Sequence, residues 1–180
     1  SQGKQFTYAL LDDRVPVVKA VERQDALAML AERYFISHGP ATLQDYVWWS
    51  GLTVADAKTG LEMVKDKLIS ETLEKITYWF AGRSGVTESK VPSAFLLPNY
   101  DEYIVSYKDR SAAINTADIK KADPRGTIFN HTVVINGRIA GTWKHSFRKD
   151  AVDLEVTPFA KLSKVNHAAI NAAAKRYVKF

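Results

Sequence analysis

Cysteine is absent from the 180 residues of this chain. Its absence excludes a disulfide framework and thiolate chemistry, and it is compatible with a cytoplasmic setting. Long apolar runs are also missing. No stretch approaches the roughly 20 residues that span a bilayer, and the N-terminus has no signal-peptide core, so no membrane partner is expected. The chain lacks a glycine-rich nucleotide-binding motif, and no His, Asp or Glu spacing resembles a metal site, so neither a cofactor nor a metal is expected. Histidine is sparse. His38, His131, His145 and His167 fall on different predicted elements, and a lone histidine is more often structural or solvated than catalytic. No internal repeat or low-complexity tract is found. The chain begins Ser-Gln-Gly-Lys without methionine, which raises the expectation of a fragment from a longer protein.

What remains has ordinary globular composition, 46% hydrophobic and 25% charged, enough for one large or two small domains. The net charge of +5 is unevenly spread. Residues 22 to 68 hold five Lys/Arg against seven Asp/Glu, whereas residues 108 to 149 hold nine against three. The basic excess therefore lies in the second half, which matters because phosphate contacts dominate nucleic-acid affinity.

The spacing of Ala26, Leu27, Leu30, Tyr34 and Phe35 predicts a helix over 23 to 38, ended by Gly39-Pro40. Thr42 caps a short second helix, with Leu43, Tyr46, Val47 and Trp49 available for a core. Gly51 then permits a tight turn, and Thr53 caps a third helix whose apolar stripe is Val54, Ala57, Leu61, Val64 and Leu68. Two β-prone runs follow around Glu74-Lys75. Three helices joined by short turns and closed by a hairpin outline a winged helix-turn-helix. The remaining pattern predicts a strand over 4 to 11, a linker over 82 to 92, and a strand near Phe95. It then predicts a hairpin at Asn136-Gly137, a strand through Val152, Leu154 and Val156, and an Ala-rich closing helix over 162 to 180. The fold class is α+β: a winged helix followed by a small β-barrel-like sheet and a C-terminal helix. The expected division is 1–21 as an N-terminal strand segment, 22–81 as the winged helix domain, and 93–180 as the sheet with its helix.

Several groups of residues carry candidate chemistry. Asp101-Glu102 with Asp109-Arg110 forms an acidic cluster beside a strand broken by Pro98. Paired carboxylates do acid/base work when their pKa values are pushed apart, but acids at a helix start serve the dipole equally well. Asp101 and Asp109 are thus the candidate catalytic residues. The hairpin segment from Arg138 to Lys149 joins positive charge to Trp143 and a protruding turn. Arg138, Lys144, His145, Arg148 and Lys149 are therefore candidate DNA contacts, along with Thr59 on the outer face of the third helix. Glu62 and Asp66 share that face and would oppose phosphates, so the helix either reads DNA or packs on protein.

In order along the chain, HGPATLQDYVWWSGLTVADAKTGLE, FLLPNYDEYIVSYKDR and VVINGRIAGTWK resemble the bacterial winged-helix DNA-binding-domain family. That family includes DNA glycosylases that excise alkylated bases and unhook interstrand crosslinks. The resemblance implies tandem winged helices, a small β-barrel whose hairpin lies near DNA, and a Gln-x-Gln or Gln-x-Asp catalytic motif in the N-terminal portion. Gln44 and Asp45 are adjacent and do not match that motif. The expected function is a DNA-binding module, the C-terminal part of a DNA-repair glycosylase-like protein and inactive in base excision by itself. The alternatives are a complete glycosylase using its acidic cluster, or a scaffold domain that packs on an N-terminal part. Double-stranded DNA and the missing N-terminal portion are the expected partners of a monomer.

Overall fold

The computed structural model describes residues 8–10, 13–15, 20–82, 93–122, 130–149 and 151–179. Helix α1 spans Arg23–His38 and buries Leu27, Ala31, Tyr34 and Phe35, which lie on one face at helical spacing. Helix α2, Leu43–Ser50, opens with a capping box. Thr42 accepts from the Asp45 amide, and Asp45 accepts from the Thr42 amide. It ends at Gly51, whose φ of 68° is the left-handed conformation that favours glycine at a helix stop. Thr53 caps α3, Val54–Val64, which buries Ala57, Gly60, Leu61 and Val64.

Gly60 is set by close approach. A Cβ there would lie 2.6 Å from the Leu27 carbonyl oxygen, so the absence of a side chain is what brings α3 against α1. Val54, expected in this core from its place on the apolar stripe, is 52% exposed. Val54 is the first residue of its helix and lies beyond the packed stripe. Strands β1 (Ile69–Leu73) and β2 (Ile76–Phe80) form the expected antiparallel hairpin. Glu74 and Lys75 form its tip at positive φ. Paired backbone bonds between Ala41 and Trp79, at 3.1 and 2.8 Å, tie the hairpin to the entry of α2.

The second half is built on strands β3 (Ala94–Leu97), β4 (Thr132–Ile135), β5 (Arg138–Phe147) and β6 (Val152–Pro158). They form one antiparallel sheet in the order β3-β4-β5-β6. Asn136 and Gly137, with φ of 49° and 76°, make the β4–β5 turn, the two-residue type I′ geometry that matches strand twist. The expected barrel-like closure does not occur among the described residues. β3 and β6 are the two edges and do not pair, so the sheet is open. Both faces are covered. Helix α6 (Lys164–Lys179) lays Ile170 and Ala173 against Ala94, Val133, Ile135 and Trp143. On the other side Ile104, Ile114 and Ala122 pack on Val134 and Ile139. These come from the segment that holds α4 (Glu102–Val105) and α5 (Ile119–Ala122).

The strand expected over 4 to 11 falls mostly outside the described residues. Within it, residues 8–10 are exposed and not in a strand. Of the expected linker over 82 to 92, only Gly82 is described.

Candidate nucleic-acid interface

The segment from 101 to 110 is bonded directly to the helical half. Asp45 is the node, with only 4% of its surface exposed. One carboxylate oxygen accepts from the Thr42 amide and hydroxyl at 2.9 and 2.7 Å. The other accepts from the Lys108 amide at 2.8 Å, a contact spanning 63 positions of sequence, and from the Asp109 amide at 3.3 Å. Around it Tyr34 donates to the Ser106 carbonyl, Tyr107 to the His38 carbonyl, and Trp48 to the Val105 carbonyl. The Arg110 guanidinium lies 5.4 Å from the Trp48 ring centre. Burial raises the Tyr34 and Tyr107 hydroxyl pKa values, with the Asp45 charge adding to both, so both phenols stay protonated donors. A cleft of about 780 Å³ runs beside this joint, lined by Pro40, Gln44 and Tyr78 on one side and Tyr103, Arg110 and Ala112 on the other.

The acidic candidates are held in local backbone roles. Asp101 is the N-cap of α4 and accepts from the Tyr103 amide at 2.9 Å. Asp109 accepts from the Ser111 amide at 2.8 Å, and that bond keeps its carboxyl below the usual range. Glu102 is likewise lowered, first by the Ser106 hydroxyl and then by Trp49 and His38. Asp101 and Asp109 thus brace backbone through one oxygen each, while Glu102 is held by three side chains. A general acid or base at neutral pH needs instead a pKa raised toward the working range.

The basic candidates separate along the pleat of β5. Lys144 is exposed and stands opposite Glu155 of β6. Arg148 is ion-paired with Asp153, and Arg138 donates to the Asn115 side chain at 2.6 Å. Lys149 is exposed at the end of the hairpin. His145 lies on the opposite face of β5 from Lys144, its ring 5.6 Å from Trp143, 4.9 Å from Phe147 and 5.8 Å from Tyr177. Its Nδ1 is buried without a hydrogen-bond partner. His131 stands 5.5 Å from it, and burial, then the neighbouring imidazole, lowers the His131 pKa. Thr59 is exposed on α3, where its hydroxyl donates to the Ala55 carbonyl.

The basic excess over 108 to 149 is offset in the folded chain by Glu155, opposite Lys144, and Asp153, paired with Arg148. Asp45 was missed as a structural node, although Thr42-x-x-Asp45 is a capping-box spacing and marked half of its role. Among the described residues no group of three His, Cys, Asp or Glu side chains could hold a metal ion. No helix there is long and apolar enough to cross a membrane.

These features define an α+β protein in which a three-helix unit with a two-stranded hairpin is bonded to an open antiparallel sheet carrying its own helices. The sequence model of the DNA glycosylase AlkZ-like family matches residues 1–180, and the chain belongs to that family. Among solved structures, Streptomyces sahachiroi DNA glycosylase AlkZ superposes with a TM-score of 0.68 at 20% identity, over 87% of this chain and 43% of that one. This likeness concerns the fold, and the chain spans less than half the length of that structure. No curated protein matches the chain.

Proposed function

We propose that this chain is the DNA-engaging unit of a DNA-repair glycosylase of the AlkZ-like family, and that it does not release bases by itself. The observation that carries this reading is the family match over residues 1–180. The order α1, α2, α3, β1, β2 with a left-handed turn at Gly51 supports reading residues 22–81 as a winged helix. The sheet, rather than α3, supplies the phosphate contacts, through Arg138, Lys144 and Lys149 with Arg148 beside them. The exposed face of α3 presents Thr59 and Lys58 beside Glu62, which is ion-paired with Lys65, and Asp66 follows, so this face carries no net basic excess. The β1–β2 hairpin adds Glu71 and Glu74 against Lys75 alone, with Leu73 and Ile76 exposed. Carboxylates there repel phosphate, and the apolar tip suits a protein neighbour better. Base excision needs an activated water or carboxylate held beside the sugar, and Asp101 and Asp109 each brace a local backbone amide through one oxygen. In this reading catalysis is assigned to a further part of a parent protein. Duplex DNA and that part are the partners, the unit acts as a monomer, and the setting is cytoplasmic.

The test is fluorescence anisotropy with duplex DNA across a salt series, alongside a base-release assay on an alkylated duplex. Binding should weaken steeply with salt. Lys144→Glu combined with Lys149→Glu should lower the salt slope by about two, roughly one per lost phosphate contact. Thr59→Glu should leave the slope unchanged. The opposite pattern would establish α3 as the DNA-reading helix. Release of free base by this chain, abolished by Asp101→Asn, would make the acidic segment an active site.

A further inference from the structure

We propose that the outward face of α6 is a second phosphate-contacting surface for duplex DNA, separate from the β5 hairpin. The inference rests on the DNA-binding reading above and assigns it a further surface.

The argument begins with a comparison inside the molecule. Helices α1 and α6 are each 16 residues long. α1 balances its charges, with Arg23 and Arg33 against Asp25 and Glu32. α6 carries Lys164, Lys175, Arg176 and Lys179 and no acidic residue. A face that needs only solvation is served by mixed signs, as α1 is. At 3.6 residues per turn, Lys164, Asn171, Lys175 and Lys179 fall within an arc of about 80°, opposite the buried Ile170 and Ala173. All four are exposed. The three lysines have no acidic partner among the described residues. Arg176 is excluded from the count because it donates to the Ala94 carbonyl.

Folding accounts for only part of this charge. Cations in the last turns complement the helix dipole, which covers Lys175 and Lys179. Lys164 is the first helical residue, where the same dipole opposes a cation, and Lys161 precedes it. Tertiary structure adds more charge at this end. Lys121 of α5 reaches the Phe159 carbonyl and lies 6.0 Å from the Phe159 ring, so α5 abuts the turn that leads into α6. Lys121 is neutralised by Asp118, but Lys120 and Lys161 are exposed. The cations thus run from the α5 corner along a helix face about 22 Å long, at the 1.5 Å rise per residue. Charge of one sign along one face of a rigid rod suits a polyanion, and duplex DNA carries one negative charge for about every 1.7 Å of axis.

The test compares the wild-type chain with a Lys164→Gln, Lys175→Gln, Lys179→Gln triple variant in salt titrations of duplex binding. A matched triple on the helical half, Arg33→Gln, Lys58→Gln, Lys67→Gln, removes the same net charge. The α6 triple should lower the slope of log K against log salt by about three, and the matched triple should leave it unchanged. A version with arginine at the three α6 positions should restore it, and thermal unfolding at the wild-type temperature separates lost contacts from lost fold. An unaltered slope for the α6 triple, with wild-type binding intact, overturns the α6 surface and leaves the DNA-binding reading standing. Equal losses from both triples also overturn it, because overall charge is then all that is sensed. Failure of the wild-type chain to bind duplex DNA at low salt removes both.

Discussion

Replacing Asp45 with alanine should destabilise the protein at the joint between its two halves. The carboxylate is buried and accepts from three donors at 2.9 Å or less: the Thr42 amide, the Thr42 hydroxyl and the Lys108 amide. Losing the capping-box interaction at α2 costs about 1 kcal/mol. Leaving buried or half-buried donors without an acceptor costs a further ~1–3 kcal/mol. The total, about 3 kcal/mol, is a large part of the 5–15 kcal/mol that folded domains typically possess. With a urea m-value of about 2 kcal/mol/M, the midpoint should fall by roughly 1.5 M at unchanged slope. Asp45→Asn keeps an acceptor for one side of the joint and should lose less. Hydrogen exchange supplies a local readout: the Lys108 amide should lose protection in Asp45→Ala more than the Trp79 amide, which bonds to Ala41. A midpoint within 0.3 M of wild type (about 0.6 kcal/mol at that slope) would refute the reasoning, since the joint would then not depend on this carboxylate.

Gly60→Ala should destabilise by about 1–3 kcal/mol, the usual cost of overpacking, because the new Cβ would meet the Leu27 carbonyl at 2.6 Å; an unshifted melting curve would refute the close contact. Leu61→Ala, at a 4% exposed position, should cost about 2–5 kcal/mol in denaturant titration. His131 should make stability pH-dependent. Its folded pKa lies below 6.5, so the unfolded chain protonates first, and its contribution is complete above pH 6.5 and is lost as pH falls toward the folded value. A His131→Gln variant should show a flatter profile of melting temperature against pH just below 6.5, and a profile identical to wild type would count against this.

Local chemistry makes much of the architecture legible in the sequence. The end of α1 at Gly39-Pro40, the Thr42 and Thr53 caps, the Glu74-Lys75 tip and the Asn136-Gly137 turn each depend on a few neighbouring residues. Backbone preference and short-range hydrogen bonding decide such features, so they can be read along the chain. The pleat of β5 is legible in the same way only past its bulge, since Ile139 and Trp143 have the same parity in sequence but pack on opposite faces of the sheet. Alternation there puts Trp143 and His145 on one face and Lys144 on the other.

What the sequence by itself determined, then, is the order of elements, their caps and turns, the α+β class and the basic bias of the second half. Tertiary structure decided how those elements meet. Glu155 faces Lys144, and Asp153 pairs with Arg148, only because β6 returns in one particular register. The sheet stays open because β3 and β6 sit at opposite edges, which no local pattern encodes. Ser106, Val105 and the Lys108 amide meet Tyr34, Trp48 and Asp45 only because the 101–110 segment folds onto the helical half. Asp45 resembles an ordinary cap until the Lys108 amide arrives from 63 residues away. Periodicity and turn chemistry act over a few bonds, whereas the availability of a charged group depends on what the folded chain brings within about 3 Å of it.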